Sequence, residues 1–250
     1  MDRPIGVFDS GLGGISVLKD AVRLLPQEHF IFCGDNRNAP YGVKTPEQIH
    51  ACVTKVVVNL LSQNIKALVI ACNTATAASA QLLREQLDIP VIGMEPALKP
   101  AHESRRDGQI LVLATPATLH MEKFRNLMQQ YGEGAVPVEG YGIVECVESG
   151  HIEDETMLEV LHGLLDQHLQ EKTDAIVLGC THYSFIKGAL AKVAPGIPLY
   201  DGNLGTVRQL KRVLENRGLL RKEDQEGSVT LTTTGDKEII LPRMNMLMKL

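Results

Sequence analysis

Ala67-Leu68-Val69-Ile70-Ala71-Cys72-Asn73-Thr74-Ala75 and Ala175-Ile176-Val177-Leu178-Gly179-Cys180-Thr181-His182-Tyr183 are built alike and stand about a hundred residues apart. Each opens on an aliphatic run too short for a helix, passes through a small residue to a thiol, and continues into polar side chains of the kind that cap a helix. The pattern places each sulfur at the carboxyl end of a buried strand. In an open α/β sheet that edge is where ligands bind, so the sequence offers two equivalent positions for one thiol each. Two thiols facing one substrate point to two-base chemistry.

Working outward, strand-length apolar runs at 5–8, 30–32, 68–71, 91–93, 110–114, 136–138, 176–178 and 199–200 alternate with helical segments. This alternation predicts parallel sheets covered on both faces. Thr45-Pro46-Glu47-Gln48 is a capping box with proline at the first helical position, and a helix through 211–217 closes on Gly218. A charged helix is expected over 152–171. The segment 6–11 precedes Cys72 by about the interval at which 113–118 precedes Cys180, a weak internal repeat. The expectation is therefore an α/β protein of two similar doubly wound domains with mainly parallel sheets, related by a pseudo-twofold axis, with the site in the cleft between them. The first domain takes residues 1–95 plus 207–250 and the second takes 96–206, the strandlike tail at 229–234 returning to the first.

Composition narrows the function. The 250 residues carry 25 basic and 30 acidic side chains, a formal charge of −5, without the basic cluster that marks a nucleic-acid or anionic-membrane surface. No apolar run approaches the roughly 20 residues a bilayer-spanning helix needs, and Met1-Asp2-Arg3-Pro4 leads into a strand without a signal-peptide core, so a cytoplasmic protein is expected. Five cysteines form no CxxC pair and read as free thiols, with Cys33 and Cys52 as buried inert ones. With neither HExxH nor paired CxxC spacing, no metal is expected. The methionines of 244–248 read as flexible packing or tail.

The remaining motifs fall on the same rim. Asp9-Ser10-Gly11-Leu12-Gly13-Gly14 follows the first strand and opens an apolar helix. It is either a carboxylate cradle made of backbone amides or a glycine turn with an Asp cap. Residues 36–42, including Pro40-Tyr41-Gly42, read on their own as a plain loop. An unperturbed thiol is only a few per cent ionised at neutral pH, and a helix N-terminus with a nearby His182 would lower its pKa. One such cysteine could be a buried structural thiol, whereas two in matched contexts favour function.

Taken in order, Asp9 to Gly14, Pro40-Tyr41-Gly42, Cys72-Asn73-Thr74-Ala75, Ala114-Thr115-Pro116-Ala117-Thr118, Val147-Glu148-Ser149-Gly150 and Gly179-Cys180-Thr181-His182-Tyr183 resemble the glutamate racemases of the cofactor-independent aspartate/glutamate racemase family, nearly end to end. The resemblance implies Cys72 and Cys180 as proton donor and acceptor on opposite faces of the substrate, with Asp9 assisting Cys72 and His182 assisting Cys180. It implies substrate binding by Ser10, Pro40, Tyr41, Gly42, Asn73, Thr74 and Thr181, with Thr115, Thr118 and Glu148 completing the pocket. It further implies glutamate as substrate, no cofactor, a homodimer, and supply of D-glutamate for peptidoglycan. Ser184 and the segment 140–148 depart from the family's usual prolines. The alternatives are another racemase or isomerase of the group acting on aspartate, hydantoin or maleate, a cysteine amidohydrolase, and a non-catalytic amino-acid-binding module.

Overall fold

The computed structural model describes residues 2–222 and 225–250; Met1 of the opening segment lies outside the described residues. In chain order the strands are β1 (Ile5–Asp9), β2 (Phe30–Gly34), β3 (Ala67–Ile70), β4 (Val91–Gly93), β5 (Gln109–Ala114), β6 (Ala135–Glu139), β7 (Thr173–Leu178), β8 (Leu199–Asp201) and β9 (Val229–Thr233). The helices are α1 (Ile15–Leu24), α2 (Pro46–Ser62), α3 (Asn73–Gln86), α4 (Leu98–Ser104), α5 (Pro116–His120), α6 (Glu122–Tyr131), α7 (Ile143–Ser149), α8 (Glu155–Leu165), α9 (Lys187–Val193), α10 (Asn203–Asn216) and α11 (Lys237–Lys249).

Two fully parallel sheets result, ordered β4-β3-β1-β2-β9 and β6-β5-β7-β8. Reading the second from its other end gives β8-β7-β5-β6, which matches β4-β3-β1-β2 strand for strand. The internal repeat is thus a repeat of topology. In each unit the strand order reverses between the first strand and the third, β1 beside β3 and β5 beside β7, and at such a reversal neighbouring loops diverge and leave a crevice. Cys72 follows β3 and Cys180 follows β7, so both sulfurs sit at the predicted crevice.

Both faces of each sheet are covered, which explains why the strands read as continuous apolar runs. Along β3, Ala67 and Val69 face one core cluster with Ile5, Val7 and Phe32, while Leu68 and Ile70 face another with Phe8, Ile49 and Leu60. The second sheet divides likewise, with Leu111, Leu113, Ile176 and Leu178 on one face and Ile110, Val112 and Val177 on the other. Each such side chain, fully buried, contributes about 1.5–3 kcal/mol. The capping box at Thr45 forms as expected, and Gly218 adopts the left-handed backbone that ends α10. β9 pairs in parallel with β2, bringing the tail back to the first sheet.

Two expectations are corrected. The helix foreseen over 152–171 is divided into α8, ending at Leu165, and a 3₁₀ turn at His168–Gln170. The chain must turn there to enter β7 at Thr173. The methionine-rich tail is no loose end, because Met244 and Leu247 lie one turn apart on α11 and both are buried in the first core.

At the amino end of β3 a charged pair is enclosed. Lys66 Nζ lies 2.6 Å from Glu28 Oε2, with side chains 1 % and 2 % exposed. Lys66 also donates to the Leu219 carbonyl at 2.8 Å, and the Arg221 amide donates to Glu28 Oε1 at 2.9 Å. The pair fastens the connection leaving α10 to the amino edge of the first sheet, the edge opposite the cysteines.

Candidate active site

Cys72 is the N-cap of α3. Its Sγ accepts from the Ala75 amide at 3.4 Å and lies 3.3 Å from Ser10 Oγ. Burial and the neighbouring Asp9 carboxylate outweigh these donors and push the thiol up to about 12. This reverses the expectation that a helix N-terminus would lower it: desolvation of an enclosed thiolate, with an anion close by, costs more than one helix end returns. Asp9, fully buried at the end of β1, is itself raised by burial, against which work His182, the amides of Gly11 and Gly14, and the Thr181 hydroxyl. Its two oxygens accept from Gly11 N at 2.9 Å and Thr181 Oγ1 at 3.1 Å.

Cys180 stands in a different setting despite its similar sequence. It precedes a 3₁₀ turn, Thr181–Ile186, and its side chain makes no capping bond. Its partner is a ring: Sγ lies 3.7 Å from His182 Nδ1, while His182 Nε2 donates to Glu148 Oε1 at 2.7 Å. Burial alone would strip the proton from His182, but the sulfur on one side and the carboxylate on the other hold its pKa well above the ordinary value. Glu148 is pushed up by burial yet ends below its usual range, chiefly because of His182. Both partners thus favour the protonated ring, which can give negative charge on the Cys180 sulfur a buried counter-ion.

Both sulfurs line one cavity of about 70 Å³. Ser10, Pro40, Tyr41, Gly42, Asn73 and Thr74 line it from the first unit, with Thr115, Glu148 and His182 from the second. Asp9, Thr118 and Thr181 lie behind this lining. Asn73, 4 % exposed, leaves both atoms of its side-chain amide without a protein partner, as befits a group kept for a bound polar molecule. Thr74, Thr115 and Thr118 close a triangle of hydroxyls at 2.9–3.1 Å that clasps the two units together.

Some expected roles change. The Tyr41 hydroxyl donates to Asp35 Oδ2 at 2.6 Å, so its ring forms wall and its oxygen is already engaged. Glu148 faces the cavity with an oxygen bound to both His182 and the Leu12 amide, at 2.7 Å each, which makes it a support for the histidine. The open choice over Asp9 to Gly14 also resolves. The Gly11 amide is taken by Asp9 of the same turn and the Leu12 amide by Glu148, so the turn is capped by Asp9 and docks on the second unit. Gly13 is needed for that contact: a Cβ there would stand 2.4 Å from His182 Nδ1 and 2.7 Å from the His182 backbone nitrogen. Among groups not singled out, Asp35 is fully buried and also holds Asn38 and Thr234, and Tyr141 and Glu145 line the cavity. Asp35 directly follows β2 much as Asp9 ends β1, a signal present in the sequence. Among the described residues, no three or more His, Cys, Asp or Glu side chains converge as metal ligands would, and no helix is long and apolar enough to cross a membrane.

Comparison with known proteins agrees with this geometry. The family described as Asp/Glu/Hydantoin racemase matches residues 5–210. A glutamate racemase of Clostridium acetobutylicum is 46 % identical over 252 residues, covering 100 % of this chain and 98 % of its own. Among solved structures, the Escherichia coli glutamate racemase in complex with L-glutamate and activator UDP-MurNAc-ala superposes with a TM-score of 0.86 at 30 % identity, over 98 % of this chain and 95 % of that one. The Francisella tularensis glutamate racemase in complex with D-glutamate gives 0.85 at 27 % identity, over 100 % and 94 %. With its two doubly wound units, its shared cavity and these relatives, the chain belongs to the Asp/Glu/hydantoin racemase family, among the glutamate racemases.

Proposed function

We propose that this protein interconverts L- and D-glutamate, with Cys72 and Cys180 exchanging the α-proton from opposite faces. The observation carrying this reading is that two sulfurs, from equivalent strand ends of two units, line one cavity, each with its own proton-handling neighbours. Glutamate is favoured over aspartate by the names of the relatives, two of which hold its enantiomers.

In one direction the Cys180 thiolate, opposed by the His182 imidazolium, takes the α-proton, and the Cys72 thiol delivers a proton to the other face. The negative charge that develops on the substrate's α-carboxylate is met by a fixed donor, the Asn73 side-chain amide, which has no protein partner. In the reverse direction Cys72 must lose its proton despite burial beside Asp9, and the substrate ammonium supplies the positive charge that makes this feasible. No external cofactor enters these steps. D-glutamate made in the cytoplasm by a homodimer would serve peptidoglycan synthesis, a reading that rests on family resemblance and is checked by light scattering and by cell fractionation.

The reaction is tested by NMR of L-glutamate in deuterated water. The expected result is deuterium at the α-carbon of both enantiomers, with optical activity decaying to zero. Ammonia release would favour an amidohydrolase, and binding without exchange would favour a non-catalytic module. Gly13→Ala tests the geometry. The added methyl meets backbone and has to displace His182 or part the units, so kcat/KM is expected to fall about a hundredfold, since a misplacement of about 1 Å at a reacting centre costs that much.

A further inference from the structure

The last helix of the chain reaches the catalytic relay. α11 is anchored in the first core through Met244 and Leu247, and a Cβ at Gly34 would stand 2.8 Å from the Met244 methyl, so the helix is seated closely. Next to that anchor, the Arg243 guanidinium extends to the second unit, where Nη1 donates to the main-chain carbonyl of Glu148 at 2.6 Å. This carbonyl lies in the last turn of α7, where carbonyls lack partners within the helix. Two of its neighbours, Cys146 and Val147, are taken by the amides of His151 and Gly150. Glu148 is the next in line, and Arg243 fills it with a charge-assisted bond that also complements the negative end of the helix dipole.

The same residue is gripped at its other end, where Oε1 accepts from Leu12 N and His182 Nε2. α7 has only seven residues, and glycines in the left-handed backbone, Gly142 and Gly150, bound it on both sides. So short a helix, hinged at each end, needs an outside hold if one of its carboxylates is to stay in register with a histidine on another element.

We propose that Arg243 is a positioning residue, which fixes the main chain of Glu148 so that its carboxylate keeps His182, and through it Cys180, aligned on the cavity. This rests on the racemase reading above. Arg243 is not among the residues lining the cavity, and its bond to the second unit is to Glu148. The positive charge also lies among the influences that keep Glu148 ionised.

Arg243→Ala in the full chain is expected to lower kcat for L-glutamate about tenfold while KM stays within about twofold, because the loss is of alignment and not of substrate binding. The alkaline limb of kcat/KM is expected to move to lower pH, since a loosened Glu148 no longer helps His182 keep its proton. Arg243→Lys keeps a charged donor and should restore most of the rate and the position of the limb. A merely structural arginine would change the melting temperature without moving the limb, and that result overturns the proposal. An Arg243→Ala protein with wild-type kcat and pH profile overturns it equally. Failure of the wild-type protein to exchange α-protons would instead refute the racemase reading.

Discussion

Cys72→Ser and Cys180→Ser, made singly, should each reduce racemisation by about a thousandfold or more, the scale of losing a positioned acid or base, while the proteins still fold. A serine hydroxyl holds its proton far more tightly than a thiol and neither gives nor accepts it at a useful rate. The two variants should differ from each other in a telling way. With Cys72 replaced, Cys180 can still remove a proton from the enantiomer whose α-hydrogen faces it and return a deuteron to the same face. That enantiomer should take up deuterium without inverting. With Cys180 replaced, the other enantiomer should do so, more slowly, because the remaining thiol is the one raised to about 12. NMR with chiral separation in deuterated water reads both outcomes. Undiminished racemisation by either variant would remove the two-thiol mechanism.

Lys66→Met should produce the largest loss of stability. The change leaves Glu28 as an uncompensated charge in a 2 % exposed site, a situation that costs about 3–5 kcal/mol. For a chain of this length, that is a fall in melting temperature of about 10 °C. Adding Glu28→Gln removes the stranded charge while keeping an acceptor for the Arg221 amide, so the double variant should recover much of the loss. Below the melting transition, kcat should stay close to wild type, because the pair lies at the amino edge of a sheet whose carboxyl edge carries Cys72. Calorimetry and steady-state rates together separate these effects, and a single variant as stable as wild type would show that the pair contributes nothing.

What could be read from the sequence follows from range. The strands, their parallel pairing and the matched cysteines were legible because buried parallel strands are apolar throughout and here end abruptly on thiols and polar side chains that line the cavity. The capping box at Thr45 was legible because it closes within four residues. The break after Leu165 was not, since it depends on where β7 must begin. The burial of Met244 and Leu247 was hidden because the core they enter includes α1 and the end of β2, some two hundred residues earlier in the chain. The two cysteine motifs looked equal, yet one opens a helix of fourteen residues and the other a 3₁₀ turn beside a histidine. Their different electrostatics arise from Asp9 and Glu148, which approach from elsewhere in the fold. Arg243 gave no signal at all, because its partner is a main-chain carbonyl.

The order in which the strands occur has a consequence for synthesis. The sheet of the second unit is continuous in sequence from β5 to β8, whereas the first sheet receives its edge strand β9 and its covering helix α11 last. On the ribosome the second sheet, complete in sequence at Asp201, can thus form before the first sheet receives its edge strand at Val229–Thr233.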